Sequence, residues 1–294
     1  MSSSTAATRA TAYAGPRSLG DALALRAEHP TWLVLAGGTD VMVPPGPGAT
    51  TPDGVLDVFS VREMHGVAGG SGSIRIGACT TYGELVASGL LRDSLPLLHD
   101  AARGVGAVQI RERGTIGGNI VTSSPVGDML PGLLALEADV VVASVRGTRT
   151  VPYEAFVTGY RAVDLAADEL LVTIDVPRPL AGTVQHWRKV GTRAAQSIAK
   201  VSLAATARLD GPSIACLRLA LGGVADRPVR LHEVERLGEG QVPGGALAVT
   251  VEDAVRAVVE PITDVRSTAE YRAHVAARLV RRFVASLTPG AASA

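Results

Sequence analysis

Cysteine is nearly absent: Cys79 and Cys216 are the only two, far apart and in no CxxC pair. A zinc site or an iron–sulfur cluster therefore has no thiolate set in this chain, and two buried, reduced thiols are expected. The histidines (His29, His65, His99, His186, His232 and His274) show neither HxH nor HExxH spacing, so no metal site built by this chain alone is expected. An excess of charge of either sign is missing too. Lys plus Arg number 28, as do Asp plus Glu, which leaves no electrostatic footprint for nucleic acid or an anionic membrane. No run approaches the roughly 20 apolar residues of a spanning helix, so no membrane insertion is expected. The opening MSSSTAATRATAYAG lacks the apolar core of a secretory signal, and a soluble, cytoplasmic protein is expected. No Ser–His–Asp or Cys–His set is visible, so no catalytic residue is assigned.

Nearly half of the residues are apolar, enough for a sizeable core, and a chain of 294 residues suggests two or three domains. Residues 1–10 are expected to be disordered. Thr11 to Leu35 reads as strand, helix, strand: Ser18 caps the helix, His29-Pro30 ends it, and Trp32–Leu35 is a short apolar run fit for a buried strand. Val43–Gly54 is a loop by its Pro and Gly content. Further strands are expected at Val55–Phe59, Ser73–Gly77 after a turn at Gly69–Gly72, Asp139–Val145 and Leu170–Val176. Helices are expected from Thr81 to Ser88, over Leu95–Val105 and over Leu130–Glu137. Beyond Pro177 and Pro179, the runs Val184–Val190, Ala199–Leu209 and Ile214–Leu221 suit a long antiparallel sheet. The tail reads as helical: one helix opens at Thr250, and Ser267-Thr268-Ala269-Glu270 has the pattern of a capping box. Tyr271, Val275, Leu279 and Phe283 step by four and mark that last helix's core stripe.

Two glycine-rich stretches stand out. AGGTD (Ala36–Asp40) follows directly on a strand. Glycine lets backbone N–H groups approach an anion without a Cβ in the way, and consecutive N–H groups can form a nest for a phosphate oxygen. The stretch lacks GxGxxG and the lysine of a P-loop, so neither nucleotide fingerprint applies; alone, it is a weak signal and a plain turn is the better reading. GTIGGNIVTSSPVGDM (Gly114–Met129) offers Gly117-Gly118, the neutral donors Thr115, Asn119, Thr122, Ser123 and Ser124, and the acceptor Asp128. A tight loop satisfying its own backbone is the competing reading. The two together favour a dinucleotide gripped from two sides.

At this point the chain resembles a known family. AGGTD at 36–40 and TIGGN with SPVGD at 115–128 look like the two flavin loops of the FAD-binding medium subunit of the molybdenum hydroxylases, the family of xanthine dehydrogenase and carbon monoxide dehydrogenase. PYEAFVTGYR (152–161), DELLVTIDVP (168–177), KVGTRAAQSIAKVSLAA (189–205) and LALGGVADRPVR (219–230) extend the likeness over nearly the whole chain. The resemblance implies an α+β protein: two α/β subdomains forming a PCMH-type FAD-binding fold (1–60 and 61–178), then a C-terminal domain of antiparallel sheet and helices (182–288). It implies that Val34, Leu35, Ala36, Gly37, Gly38, Thr39, Asp40 and Val41 form the pyrophosphate loop. Thr115, Ile116, Gly117, Gly118 and Asn119 form the second loop, with Thr122 and Ser124 beside it. Asp128 bonds adenosine-side hydroxyls, Val105 and Gly106 lie near the cofactor, Leu171 or Leu170 touches the isoalloxazine or ribityl region, and Lys189 lies near the flavin ring. There a cation would stabilise the reduced, anionic flavin; without the resemblance Lys189 reads as a surface lysine at a strand end. Tyr160 and Arg193 are weaker matches near the flavin. Val105 and Gln196 depart from the aromatic and acidic residues of eukaryotic xanthine dehydrogenases, which puts NAD as acceptor in doubt.

The implied function is an oxidoreductase subunit that relays electrons from iron–sulfur clusters through FAD. Its partners would be a molybdopterin-binding large subunit and a [2Fe–2S] small subunit, in a heterotrimer or a dimer of heterotrimers. Two rivals remain open at the level of sequence: a free-standing FAD-dependent oxidoreductase with its own substrate, and a flavin-free binding or assembly protein of the same fold.

Overall fold

The computed structural model describes residues 11–43 and 51–287. The expected disorder of residues 1–10, and most of the Pro/Gly loop at 44–50, lie outside the described residues. The chain opens with β1 (Ala12–Ala14), α1 (Leu19–Glu28), β2 (Leu33–Leu35) and β3 (Gly54–Asp57). These strands form a parallel sheet in the order β1-β3-β2. Ser18 caps α1 by accepting from the Asp21 N–H, and the helix stops at His29. Strand β2 was expected to be buried, yet Leu33, Val34 and Leu35 are only half-buried. Its exposed side faces a cleft.

The second unit begins with β4 (Val67–Gly69) and β5 (Ser73–Gly77). Helices α2 (Tyr82–Ala87), α3 (Gly89–Ser94), α4 (Pro96–Gly104), α5 (Val108–Arg111), α6 (Ile116–Thr122) and α7 (Leu130–Ala135) follow. Then come β6 (Asp139–Ser144), β7 (Gly147–Pro152), α8 (Tyr153–Phe156), β8 (Val157–Gly159), β9 (Ala162–Val163) and β10 (Leu170–Pro177). The five-stranded sheet has the order β4-β5-β10-β6-β7 and is antiparallel throughout. Returning last, β10 takes the centre of this sheet. Its burial is continuous over Leu170, Leu171 and Val172 and alternates from Thr173 onward, with Ile174 and Val176 buried and Thr173 and Asp175 only partly so. Thr81 and Glu84 build a full capping box on α2. The stretch read from sequence as a second loop is in fact the start of helix α6, capped by Thr115.

The third unit is a sheet of β11 (Val184–Val190), β12 (Val201–Asp210), β13 (Ser213–Gly222) and β14 (Val229–Arg230), in that order and antiparallel. Helices α9 (His232–Gly238), α10 (Gly245–Val258) and α11 (Ala269–Ser286) complete it. Strand β12 is buried on both faces. Val201, Leu203, Ala205 and Ala207 share a core with α10 and α11, whereas Ala204 and Ala220 point the other way, into the core of the first two units. Alternation by two thus serves two cores, and alanine on the second face leaves room for α7 to approach.

The tail departs from the sequence reading in three details. Helix α10 begins at Gly245, not at Thr250. The N-cap of α11 is Thr268, whose side chain accepts from the Tyr271 N–H, so Ser267 and Glu270 form no capping box. Its buried face runs through Arg272, Ala276, Val280, Phe283 and Val284, while Tyr271 is exposed. Of the four residues expected as its core stripe, Phe283 is buried, Val275 and Leu279 are half-buried against the same core, and Tyr271 falls outside it, while Ala276 and Ala277 are buried. Cys79 is buried, as expected, but Cys216 is only partly so; both are free thiols.

Candidate cofactor site

A cleft of about 1390 Å³ is lined by residues of all three units. The first glycine stretch forms one wall, with Val34, Ala36 and everything from Gly37 to Val41 exposed to the cleft. Leu35 is not among the lining residues; its carbonyl accepts from the Val58 N–H. No protein acceptor meets the N–H groups of Gly37, Gly38 and Thr39 among the described residues. Gly38 adopts φ of +77°, a left-handed conformation natural to glycine. A turn that lines the cleft and has three unclaimed donors among the described residues matches the chemistry of a diphosphate.

The second stretch adjoins the first. A Cβ on Gly37 would lie 1.7 Å from the Arg113 carbonyl oxygen and 3.1 Å from the Gly114 Cα. The two stretches therefore touch, backbone against backbone. Thr115, Gly117, Gly118, Asn119, Thr122, Ser124 and Asp128 line the cleft; Ile116 is buried in the core instead. The amides here are already spoken for. Ile116 donates to the Thr80 carbonyl, Gly117 to Ala78, Asn119 to Thr115, and Gly118 to the Thr115 hydroxyl. The Gly117 and Gly118 amides are thus closed to a ligand, and this stretch presents side chains. Asn119 Oδ1 and Asp128 Oδ1 are both buried without a protein partner.

Gly117 has a packing reason of its own. A Cβ there would sit 2.6 Å from the Ala78 carbonyl oxygen. The glycines at 37 and 117 are demanded by close backbone approach whether or not a ligand is present. Their presence is therefore no argument against a flavin-free protein.

The remaining predicted residues divide in two. Val105, Gly106, Leu170 and Leu171 line the cleft. Leu170 and Leu171 precede a break in register between Leu171 and Thr173 that bends β10 at the cleft. Lys189 does not line it. Its ammonium lies 2.6 Å from Asp128 Oδ2 and 3.1 Å from the Gly104 carbonyl, with about a tenth of its side chain exposed. The surface reading of Lys189 is overturned. Asp128 and Lys189, which the resemblance assigns to adenosine-side hydroxyls and to the flavin ring, contact each other directly. Burial pushes the Asp128 carboxyl up to about 6, against the opposing pull of the Lys189 charge. Of the weaker matches, Tyr160 lines the cleft and is two-thirds exposed, Gln196 lines it, and Arg193 is exposed and donates to the Gln196 carbonyl.

Several lining residues escaped the sequence reading. Tyr82 and Cys79 come from the second unit, and Gly223, Asp226, Glu260, Asp264 and Arg272 from the third. GGVADRP carried a signal as part of a quoted motif but had no assigned role; the rest are brought in by tertiary packing. Arg272, 2% exposed, donates to the carbonyls of Lys200 and Gly223 and to Asp264. Burial of the Cys79 thiol pushes it up to about 12, which makes it inert. Among the described residues no group of three or more His, Cys, Asp or Glu could hold a metal ion, and no helix is long and apolar enough to cross a membrane.

Glu169 borders the cleft and carries a pH dependence. Arg149 donates to both carboxylate oxygens, at 2.8 and 2.7 Å, and the Ala166 N–H adds a third bond. The Arg149 hydrogen bonds hold the Glu169 carboxyl down at about 2 despite its partial burial. A depressed carboxyl contributes stability above its unfolded value, and that contribution disappears as pH falls toward its folded value. Glu169→Gln should therefore melt below wild type near neutrality, with the gap closing between about pH 4.5 and about pH 2. Thermal midpoints across this range test it; a gap independent of pH contradicts it.

Fold and cleft together define a cofactor-binding α+β protein of the dinucleotide type. Residues 7–179 match the family model described as the FAD binding domain in molybdopterin dehydrogenase. Residues 186–287 match the CO dehydrogenase flavoprotein C-terminal domain. The chain is 32% identical over 263 residues to the glyceraldehyde dehydrogenase medium chain of Sulfolobus acidocaldarius, covering 90% of this chain and 93% of that one. It is 30% identical over 281 residues to the xanthine dehydrogenase FAD-binding subunit of Escherichia coli O157:H7, covering 95% and 96%. A solved structure of carbon monoxide dehydrogenase from Hydrogenophaga pseudoflava superimposes with a TM-score of 0.88 at 30% identity, covering 92% of this chain and 95% of that one. The chain belongs to the FAD-binding medium subunits of the molybdenum hydroxylase family, oxidoreductase subunits whose cofactor is FAD.

Proposed function

We propose that this chain is the flavin relay of a molybdopterin-dependent hydroxylase or dehydrogenase. It would receive electrons from [2Fe–2S] clusters on a small subunit, fed by a molybdopterin-binding large subunit, in a cytoplasmic heterotrimer or dimer of heterotrimers. Bound FAD supplies the redox chemistry, accepting and releasing electrons; the protein binds it, orients it and tunes it. The N–H groups of Gly37, Gly38 and Thr39 would hold the diphosphate. Asn119, Thr122 and Ser124 would offer neutral groups from the facing helix, and Leu170 and Leu171 would supply apolar contact. The division of labour follows 1–60 and 61–178, which close on the cofactor, and 182–288, which covers the cleft.

One observation carries this reading: Gly37, Gly38 and Thr39, whose N–H groups meet no acceptor among the described residues, line a cleft together with Asn119 and Asp128 from the second stretch. Affinity purification from native cells, with a flavin spectrum and a molybdenum and iron assay, tests it. The expected result is a yellow complex of three kinds of subunit containing both metals. A yellow chain that purifies alone and is bleached by its own small substrate would establish the free-standing enzyme. A colourless chain that takes up no FAD would remove the flavin reading.

A further inference from the structure

We propose that Arg26 forms the base subsite of the cleft and takes the adenine of the dinucleotide against its guanidinium. The inference rests on the flavin reading of the cleft. From the open amides at Gly37 the lining runs back along β2, past Val34 and Leu33, to Trp32, Thr31 and Arg26. Leu33 to Ala36, roughly 13 Å if fully extended, separate the Trp32 carbonyl from the Gly37 amide. That length suits one nucleoside arm of a dinucleotide whose diphosphate lies on the turn. Arg26 stands in the last turn of α1, and its Nη1 donates to the Trp32 carbonyl at 2.8 Å. The Trp32 ring is held in turn: it stacks on His29 with centroids 4.0 Å apart, and a Cβ on Gly54 would lie 2.2 Å from its Cε2.

Charge pairing singles this residue out. Among the described residues, four arginines and no lysine line the cleft. Three of them stand beside a carboxylate: Arg161 is 3.7 Å from Asp40, Arg266 is 3.3 Å from Asp264, and Arg272 is 2.8 Å from that same group. Arg26 has no carboxylate partner among the described residues, and segments 1–10, 44–50 and 288–294 contain neither Asp nor Glu. Burial lowers the pKa of its guanidinium, and no neighbouring charge offsets this. A half-buried cation without a counter-charge is costly unless a ligand completes it. The C-terminus of α1 accounts for a positive charge at this position, and the bond to Trp32 ties helix to strand. Neither accounts for a guanidinium set in the wall of the cleft. A planar cation suits a planar π-face rimmed by acceptor nitrogens, and adenine offers both. The opposite arm of the cleft, at Val105, Leu170 and Leu171, is apolar and suits the isoalloxazine, which leaves the adenine for the arm that ends at Arg26.

The test titrates the full-length chain with FAD by fluorescence and displaces the FAD with ADP, FMN or inorganic pyrophosphate, for the wild type, Arg26→Gln and Arg26→Lys. Thermal midpoints and the midpoint potential of the bound flavin are measured alongside. Arg26→Gln should weaken FAD and ADP alike by roughly three- to thirtyfold, the scale of a cation on an aromatic face. FMN, pyrophosphate and the potential should stay at their wild-type values, because none of them involves the base. Arg26→Lys keeps the charge and a donor for the Trp32 carbonyl but loses the planar fork, so it should recover stability without recovering ADP affinity in full. Four results would each overturn the proposal. Pyrophosphate weakened as much as ADP would make the residue a general attractor of anions. Weaker FMN with ADP unchanged would put it at the flavin end. A lower thermal midpoint with every titration unchanged would leave only the tie between helix and strand. Full recovery of ADP affinity by Arg26→Lys would mean that any cation serves. If Arg26→Gln does not fold, Arg26→Lys carries the comparison. A wild-type chain that binds no flavin defeats the flavin reading itself, a result distinguishable from all of these.

Discussion

Gly37→Ala should yield a chain that carries no flavin and has lost about 3 kcal/mol of stability, the upper end of the cost of overpacking. Its new Cβ would meet the Arg113 carbonyl oxygen at 1.7 Å and the carbonyl carbon at 2.6 Å. Both obstacles are backbone, so no rotamer change relieves the clash. One of the two stretches has to move, and with it the three open amides and the start of the segment leading into α6. The neighbouring glycine supplies the control. At Gly38 an added Cβ meets only Leu35 Cδ1 at 3.4 Å and Met42 Cγ at 3.6 Å, ordinary van der Waals contact. Its cost is the left-handed backbone, about 1–2 kcal/mol. Gly37→Ala should therefore be clearly worse than Gly38→Ala in both flavin-to-protein ratio and urea midpoint. The reverse ranking would mean that the stretches do not meet as described.

Arg272→Met is expected to cost about 3 kcal/mol, at the lower end for breaking a buried ion pair. The guanidinium donates to the Lys200 carbonyl at 2.7 Å, to the Gly223 carbonyl at 3.3 Å and to Asp264 Oδ1 at 2.8 Å. Methionine fills much of the volume but leaves those oxygens short of a donor. The lower end applies because Asp264 keeps the N–H groups of Arg266 and Ser267. Those three contacts pin helix α11 to the entry of β12 and to the turn at Gly223, where φ is +79°. Urea unfolding measures the loss; a change below about 1 kcal/mol would place the residue among ordinary surface arginines. Flavin affinity should fall less than for Gly37→Ala, because Arg272 touches the cleft only at the side covered by the C-terminal unit.

Strands and helices were legible wherever a local pattern determined them. Ser18 and Thr81 were read correctly as caps, since an N-cap needs only its own hydroxyl and the next turn. The three long strands of the C-terminal sheet were read from their apolar and β-branched runs. The stripe of α11 was read correctly at Val275, Leu279 and Phe283, but Tyr271 lies outside it, and the buried Ala276 and Ala277 went unread because alanine is a weak signal of core. Helix α6 was missed because Gly117-Gly118 suggests a loop. Its packing on the Ala78 carbonyl overrides that propensity, and no residue of the motif announces the contact.

The family, the cofactor class and one part of the lining were written in the chain itself: two glycine-rich stretches, their flanking strands and Asp128 are local, and local order survives in a one-dimensional record. Only the tertiary structure decided what each glycine is for, which amides remain open, and which way the Lys189 charge points. Those are properties of distances between segments remote in the chain: Gly37 against Arg113, Gly117 against Ala78, Lys189 between Gly104 and Asp128. A backbone amide counts as a donor to a ligand only if no other part of the protein has taken it, and that is settled when the chain closes on itself.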